Sequence, residues 1–223
     1  MSKLHAGPFL ALTLLSGCSS MDLSAEARRT IHAVSLSPTW DEKASFSGSL
    51  PELDVTTRGS IWYLYWITAP VGIVFDLIDW SRNAEARQAI YTTRLQGAKV
   101  AVGVMLRDSF QTHLEKGRSF PAVVDEDADA EFRFAIDHGI SDGLGLRGTW
   151  KPWLEVDASL VERSSGRVVW RRKAAVGSND ARTPEVFNPF KNHDNLRDAY
   201  EAAIEIVTKD LLESLKSADT RKG

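Results

Sequence analysis

The chain has 223 residues, 43% hydrophobic and 26% charged, with a formal net charge of -3. That length and apolar content suffice for one medium domain with targeting segments, and the slight acidic excess argues against nucleic acid as a partner, because a phosphate-binding surface needs a surplus of Lys and Arg. A single cysteine, Cys18, excludes an internal disulfide framework.

Lys3 supplies a short positive start, and Phe9 to Leu15 an apolar run interrupted by one Thr, too short to cross a bilayer as a permanent helix. The run closes on Leu15-Ser16-Gly17-Cys18. It reads as a cleaved signal peptide; a cytosolic chain with a chance apolar start is the alternative. Leu15 to Cys18 resembles the lipobox of bacterial lipoproteins. That resemblance implies cleavage before Cys18 and a diacylglycerol on its thiol, and several acyl chains there exceed the two signals that hold a protein stably at a bilayer. Removing residues 1–17, whose only counted charge is Lys3, takes the net charge from -3 to -4. Ser19 after the cysteine implies the outer membrane, facing the periplasm, where Asp would imply the inner membrane. The expected partition is a signal peptide over 1–17, a polar lipidated tether over 18–29, a domain over 30–217 with an insertion at 41–89, and a flexible tail over 218–223.

Along the mature chain, Thr30 to Ser37 is a mostly apolar run ended by Pro38 and predicts a buried first strand, with His32 as a structural histidine. Thr39 to Leu53, rich in Ser, Gly and Pro, predicts an irregular loop. The uncharged stretch Ile61 to Phe75 follows, broken by Pro70 and Gly72. Trp62, Tyr63, Tyr65, Trp66, Phe75 and Trp80 make it the candidate partner contact, since each ring combines a large apolar body with, in Tyr and Trp, a polar tip. Internal packing and a membrane-interfacial element are the competing readings.

Leu95, Ala98, Val102, Met105, Leu106 and Phe110 recur at helical spacing and predict one amphipathic helix between Ile90 and Glu115, stopped at Lys116-Gly117. Gly97 and Gly103 would weaken it while letting it lie close to a sheet. Phe120 to Val124 predicts a short strand. From Ala130 to Ile140 the period changes to two, so Phe132, Phe134, Ile136 and His138 share an apolar strand face, with His138 read as a core or edge residue. Trp153 to Arg163 and Arg167 to Gly177 flank Ser164-Ser165-Gly166 and predict an antiparallel hairpin, with Val156, Ala158 and Leu160 inward on one strand and Val168, Trp170, Ala174 and Val176 on the other. Its cations read as solubilising edge charges, with attraction to anionic polymer or lipid headgroups as the alternative. A polar loop over 179–193 leads to a long terminal helix, capped by Asn195, whose stripe is Leu196, Tyr200, Ala203, Ile204, Val207, Leu211 and Leu215.

No catalytic motif is visible, and no metal or cofactor is called for. The acidic run Asp125 to Glu131 begins like a calcium loop but has Ala130 in place of the required Gly and Ile136 in place of the closing Glu, and so reads as a solvated turn. The predicted fold class is α+β: a mostly antiparallel sheet of about four to five strands, two main helices packed on one face, and an aromatic-rich insertion. The strand, Ser-Gly turn and strand from Leu154 to Val168-Val169-Trp170 resemble a group of envelope lipoproteins with an anticodon-binding-like fold, which includes curli-secretion lipoproteins, activators of penicillin-binding proteins and accessory lipoproteins of exopolysaccharide export. This resemblance implies a non-enzymatic accessory or assembly factor in the cell envelope, contacting an envelope protein or another copy of itself. A periplasmic enzyme with an unrecognised site and an oligomeric secretion-pore component are the alternatives.

Overall fold

A computed structural model describes residues 20–47, 88–89, 91–124, 126–142, 149–177, 180–183, 185–187 and 193–217. The first helix among the described residues is α1 (Ala25–Thr30), within the segment 18–29 expected as a tether. Ser24 caps it by accepting the Ala27 N–H at 3.1 Å, and Leu23, Ala27 and Ile31 are buried in the core. The polar composition of residues 18–29 gives no sign of this packing, in which Leu23 before the N-cap, Ala27 inside the helix and Ile31 at its C-cap enter the same core. Immediately before the helix, Met21 exchanges both backbone hydrogen bonds with Arg171, at 2.8 and 3.0 Å.

The first strand, β1 (Ala33–Leu36), is followed by β2 (Asp41–Ser47), which replaces part of the expected irregular loop. Both run parallel to the same long strand, β4 (Ala130–Asp142), with Leu36 opposite Phe132 and Asp41 opposite Ala135. Residues 37–40 therefore span only two partner positions, and the edge bulges outward there without ending. Sequence patterning misses β2 because Asp41-Glu-Lys-Ala-Ser-Phe-Ser47 holds no β-branched residue.

The single helix expected between Ile90 and Glu115 is two: α2 over 91–97 and α3 (Val102–Gly117). Lys99 has φ 54°, its N–H bonds Gln96 O at 3.0 Å, and the Val100 N–H reaches back to Leu95 O at 2.9 Å. This is a left-handed helix terminus with Lys where Gly is usual, and Leu95 and Val100, joined through that backbone bond, are both buried. The expected apolar stripe nevertheless survives, because residues on both sides of the break turn to the same core. At its far end α3 stops where expected, with Arg118 at φ 48°.

After the two-residue strand β3 (Ala122–Val123), β4 pairs antiparallel with β5 (Thr149–Glu162), which pairs antiparallel with β6 (Val168–Val176). Gly166 supplies the positive φ, 69°, of the expected hairpin turn. β7 (Val186–Phe187) adds to the start of β5, and the long helix α4 (His193–Ser217) begins two residues before the expected Asn195 cap. The sheet order is β3-β1-β4-β5-β6, with β2 also on β4 and β7 on β5. Most of the ladder is antiparallel, as expected, while β1, β2 and β3 form a parallel flank.

The core lies between the sheet and helices α2 to α4. Phe110 and Phe120 from the helix side and Trp170 from β6 meet Phe132 edge-on, with ring centroids 5.0, 5.9 and 5.8 Å away. The entire α4 stripe from Leu196 to Leu215 is buried. On the opposite sheet face polar side chains pair across strands, Arg171 with Asp157 and Lys173 with Glu155. One expected inward residue of the hairpin, Val168, is exposed; a register shift beside Leu160 inserts Val169 as an extra residue on β6 and reverses the facing of everything before it.

Candidate functional site

The sites expected from sequence, Cys18 and the aromatic residues Trp62, Tyr63, Tyr65, Trp66, Phe75 and Trp80, lie outside the described residues. Of the remaining histidines singled out, His32 is exposed and only its backbone is engaged: the Asp129 carboxylate accepts the His32 and Ala33 N–H groups at 2.8 and 2.9 Å. Those two bonds hold the Asp129 carboxyl below its ordinary value, so this part of the acidic turn serves to start β1. Among the described residues no cluster of His, Cys, Asp or Glu could hold a metal ion.

His138 is different. It is 1% exposed, on the helix-facing side of β4, and it organises a polar chain within the apolar core. The parallel register sets Glu42 beside Ile136 and Ala44 beside His138, so Glu42 and His138 are diagonal neighbours on one face. The imidazole Nε2–H donates to Glu42 Oε1 at 3.1 Å, and the Trp40 indole N–H donates to Glu42 Oε2 at 2.7 Å. The backbone N–H of Gly103 also reaches the Glu42 carboxylate. Gly103 sits in the first turn of α3, which has no side-chain cap of its own and no acidic residue there, so the carboxylate from β2 completes the helix terminus from outside.

Gly103 is required at that point. A Cβ there would lie 2.0 Å from Trp40 Nε1 and 2.6 Å from Glu42 Oε2. The glycine does allow close approach, as its position in the sequence suggested, and what approaches is the Trp40-Glu42 end of β2. The hydrogen bond from His138 is the main cause that holds the Glu42 carboxyl below its ordinary value, partly opposed by burial.

Behind the imidazole, Nδ1 lies 3.4 Å from the Tyr91 hydroxyl, Tyr91 bonds the Tyr200 hydroxyl, and Tyr200 donates to Gly139 O at 2.9 Å. Burial pushes both phenols above their ordinary range. The chain thus joins β2, β4, α2, α3 and α4; the Tyr91 hydroxyl donates to Tyr200, so its 3.4 Å approach to His138 Nδ1 is a polar contact beside the hydrogen bonds to Glu42 and Gly139 O. Chemically it is a carboxylate and imidazole pair with one carboxylate edge at the surface and two unionised phenols behind. Sequence reasoning missed Glu42 because it lay in an expected loop, and missed Tyr91 and Tyr200 because a helix stripe does not reveal which of its members carry a hydroxyl partner.

A second feature is an open cleft of about 730 Å³ lined by Arg28, Glu115, Arg118, Ser119, Phe120, Pro121 and Val123. Arg28 donates to Leu215 O and Arg118 follows the end of α3, so both cations lie at helix C-termini, where the dipole favours positive charge. None of the five members of the His138 chain borders this cleft.

No protein-family model matches the chain, and no curated protein matches it. Among solved structures, it is similar to a Caulobacter crescentus CB15 protein described as a lipoprotein, with 14% identity and a TM-score of 0.34 over 54% of this chain and 86% of that one. It is similar to a Xanthomonas campestris protein, with 24% identity and a TM-score of 0.35 over 48% of this chain and 57% of that one. A lipoprotein of Neisseria meningitidis is matched at 13% identity and a TM-score of 0.25 over 83% of this chain and 98% of that one. Likenesses at these scores transfer no role to this chain.

Proposed function

We propose that this chain is a bacterial envelope lipoprotein, anchored through Cys18 at the periplasmic face of the outer membrane and acting as a non-enzymatic accessory or assembly factor. The observation that carries the reading is Leu15-Ser16-Gly17-Cys18 at the end of an apolar run, placed immediately ahead of a chain that joins the sheet at Met21. The aromatic residues between Trp62 and Trp80 are the contact for an envelope protein or a second copy. The His138 chain, linking five elements through buried polar contacts, supports a scaffolding role for the domain's interior.

Cell fractionation tests the anchor. Cys18→Ala moves the protein from the membrane to the soluble fraction; a variant that remains wholly with membranes would contradict lipidation. In-cell crosslinking from the aromatic segment tests the contact, since Trp62→Ala with Trp66→Ala should remove a crosslinked partner, and unchanged partners and oligomer size would exclude those residues.

A further inference from the structure

We infer that the β6 edge is the surface that lies against anionic lipid headgroups, and that the link to Cys18 holds it there. This inference rests on Cys18 as the attachment point. Only Ser19 and Ser20 separate that residue from Met21, whose N–H and C=O are both bonded to Arg171 on β6. Three Cα steps reach at most about 11 Å, so a lipid on Cys18 keeps Met21 within that distance of the bilayer interface. Strands lie about 4.8 Å apart, which makes β6 the nearest strand and sets the β1 and β2 flank about 14 Å farther along the sheet.

The chemistry of this edge suits an interface. Met21 is 46% exposed and Val168 37%, and they are two of the three exposed large hydrophobic residues among the described residues; the third, Val104, is on α3. Around them the side chains of Arg167, Arg171 and Lys173 are 70%, 50% and 44% exposed. Each pairs with an acid set one strand inward on β5, and in every pair the acid is the less exposed partner: Glu162 at 23%, Asp157 at 31% and Glu155 at 39%. On β6 positive charge therefore stands at the rim with its counter-charge behind it, and the exposed acid nearest Met21 is Asp22. Long cationic stems interleaved with short aliphatic groups can rest at headgroup level with their ends in water and anionic oxygen. Met21 also occupies the middle of the strand edge, so the backbone there is already paired and side chains supply the contact.

The test couples the chain from Cys18 onward, through that sole thiol, to maleimide-bearing vesicles of phosphatidylethanolamine and phosphatidylglycerol containing a headgroup-photoactivatable lipid. Lipid adducts mapped by mass spectrometry should concentrate at Met21 and between Arg167 and Lys173. A long Gly-Ser stretch inserted between Ser20 and Met21, which alters no folded residue, should abolish that concentration. Adducts spread evenly, adducts gathered on the exposed surfaces of α3 and α4, or a pattern unchanged by the inserted stretch would each overturn the inference. Because the coupling is chemical, a failure of Cys18 acylation in cells would leave this measurement intact, and the two readings fail separately.

Discussion

Replacing Glu42 with Ala removes one acceptor from three donors and measures what the buried polar chain contributes. The His138 imidazole N–H, on a residue 1% exposed, loses its partner where water has little access. The Trp40 N–H, on a half-buried residue, is more readily rehydrated, and the Gly103 N–H at the start of α3 loses its external cap. One buried donor left unpaired costs about 1–3 kcal/mol, and a lost cap adds about 1 kcal/mol. The Glu42 side chain is 32% exposed, so water enters part of the space, and the expected loss at neutral pH is toward the lower end, about 2–3 kcal/mol. Urea denaturation of wild type and Glu42→Ala measures the difference. The sign with pH follows from the lowered carboxyl: the contribution is fully present above the ordinary value of 4.5 and is lost as pH falls through the depressed folded value. The gap between the proteins should therefore be constant through neutral pH and narrow in acid. A gap below about 0.5 kcal/mol at neutral pH, or one that does not narrow on acidification, would refute the role assigned to the carboxylate.

Three further outcomes are expected. Leu23→Ala should destabilise the domain by about 2–3 kcal/mol in the same assay, because the side chain is 1% exposed; a tether residue would cost almost nothing. Gly139→Ala should cost at least about 2 kcal/mol and raise amide exchange in β2, since the new Cβ would stand 2.2 Å from Ser45 O; trimming Trp153, the other close neighbour, to Ala should not restore stability, because the obstacle is backbone. Val168→Ser should change stability by less than about 0.5 kcal/mol, in contrast with Trp170→Ala, which removes a fully buried ring and should cost about 3–5 kcal/mol.

The elements legible in the sequence are those whose side chains follow one uninterrupted period. β4 alternates cleanly from Ala130 to Ile140, the hairpin turns at Gly166, and α4 buries every residue of its expected stripe. The illegible ones depend on contacts remote in sequence. β2 is a strand because β4 offers it a partner, and its composition gives no hint of that. Lys99 breaks a continuous stripe by entering a conformation that the pattern assigns to glycine.

The same division applies to function. Sequence alone carries the resemblance of Leu15 to Cys18 to a lipobox, because a processing signal is linear chemistry and is read without a fold. It also carries the binary pattern of the main strands and helices, because period reflects burial directly. Only tertiary structure decided that Met21, three residues after Cys18, pairs with a sheet edge, that Glu42 closes the start of α3, and that His138, Tyr91 and Tyr200 lie in one buried polar cluster. These depend on where remote segments meet: His138 and Glu42 are 96 residues apart, and Tyr91 and Tyr200 are 109 apart. Neither composition nor local period encodes which two distant polar groups will meet in a core; that is settled by strand register and helix placement, which bring them within hydrogen-bonding distance and exclude the water that would otherwise satisfy each alone.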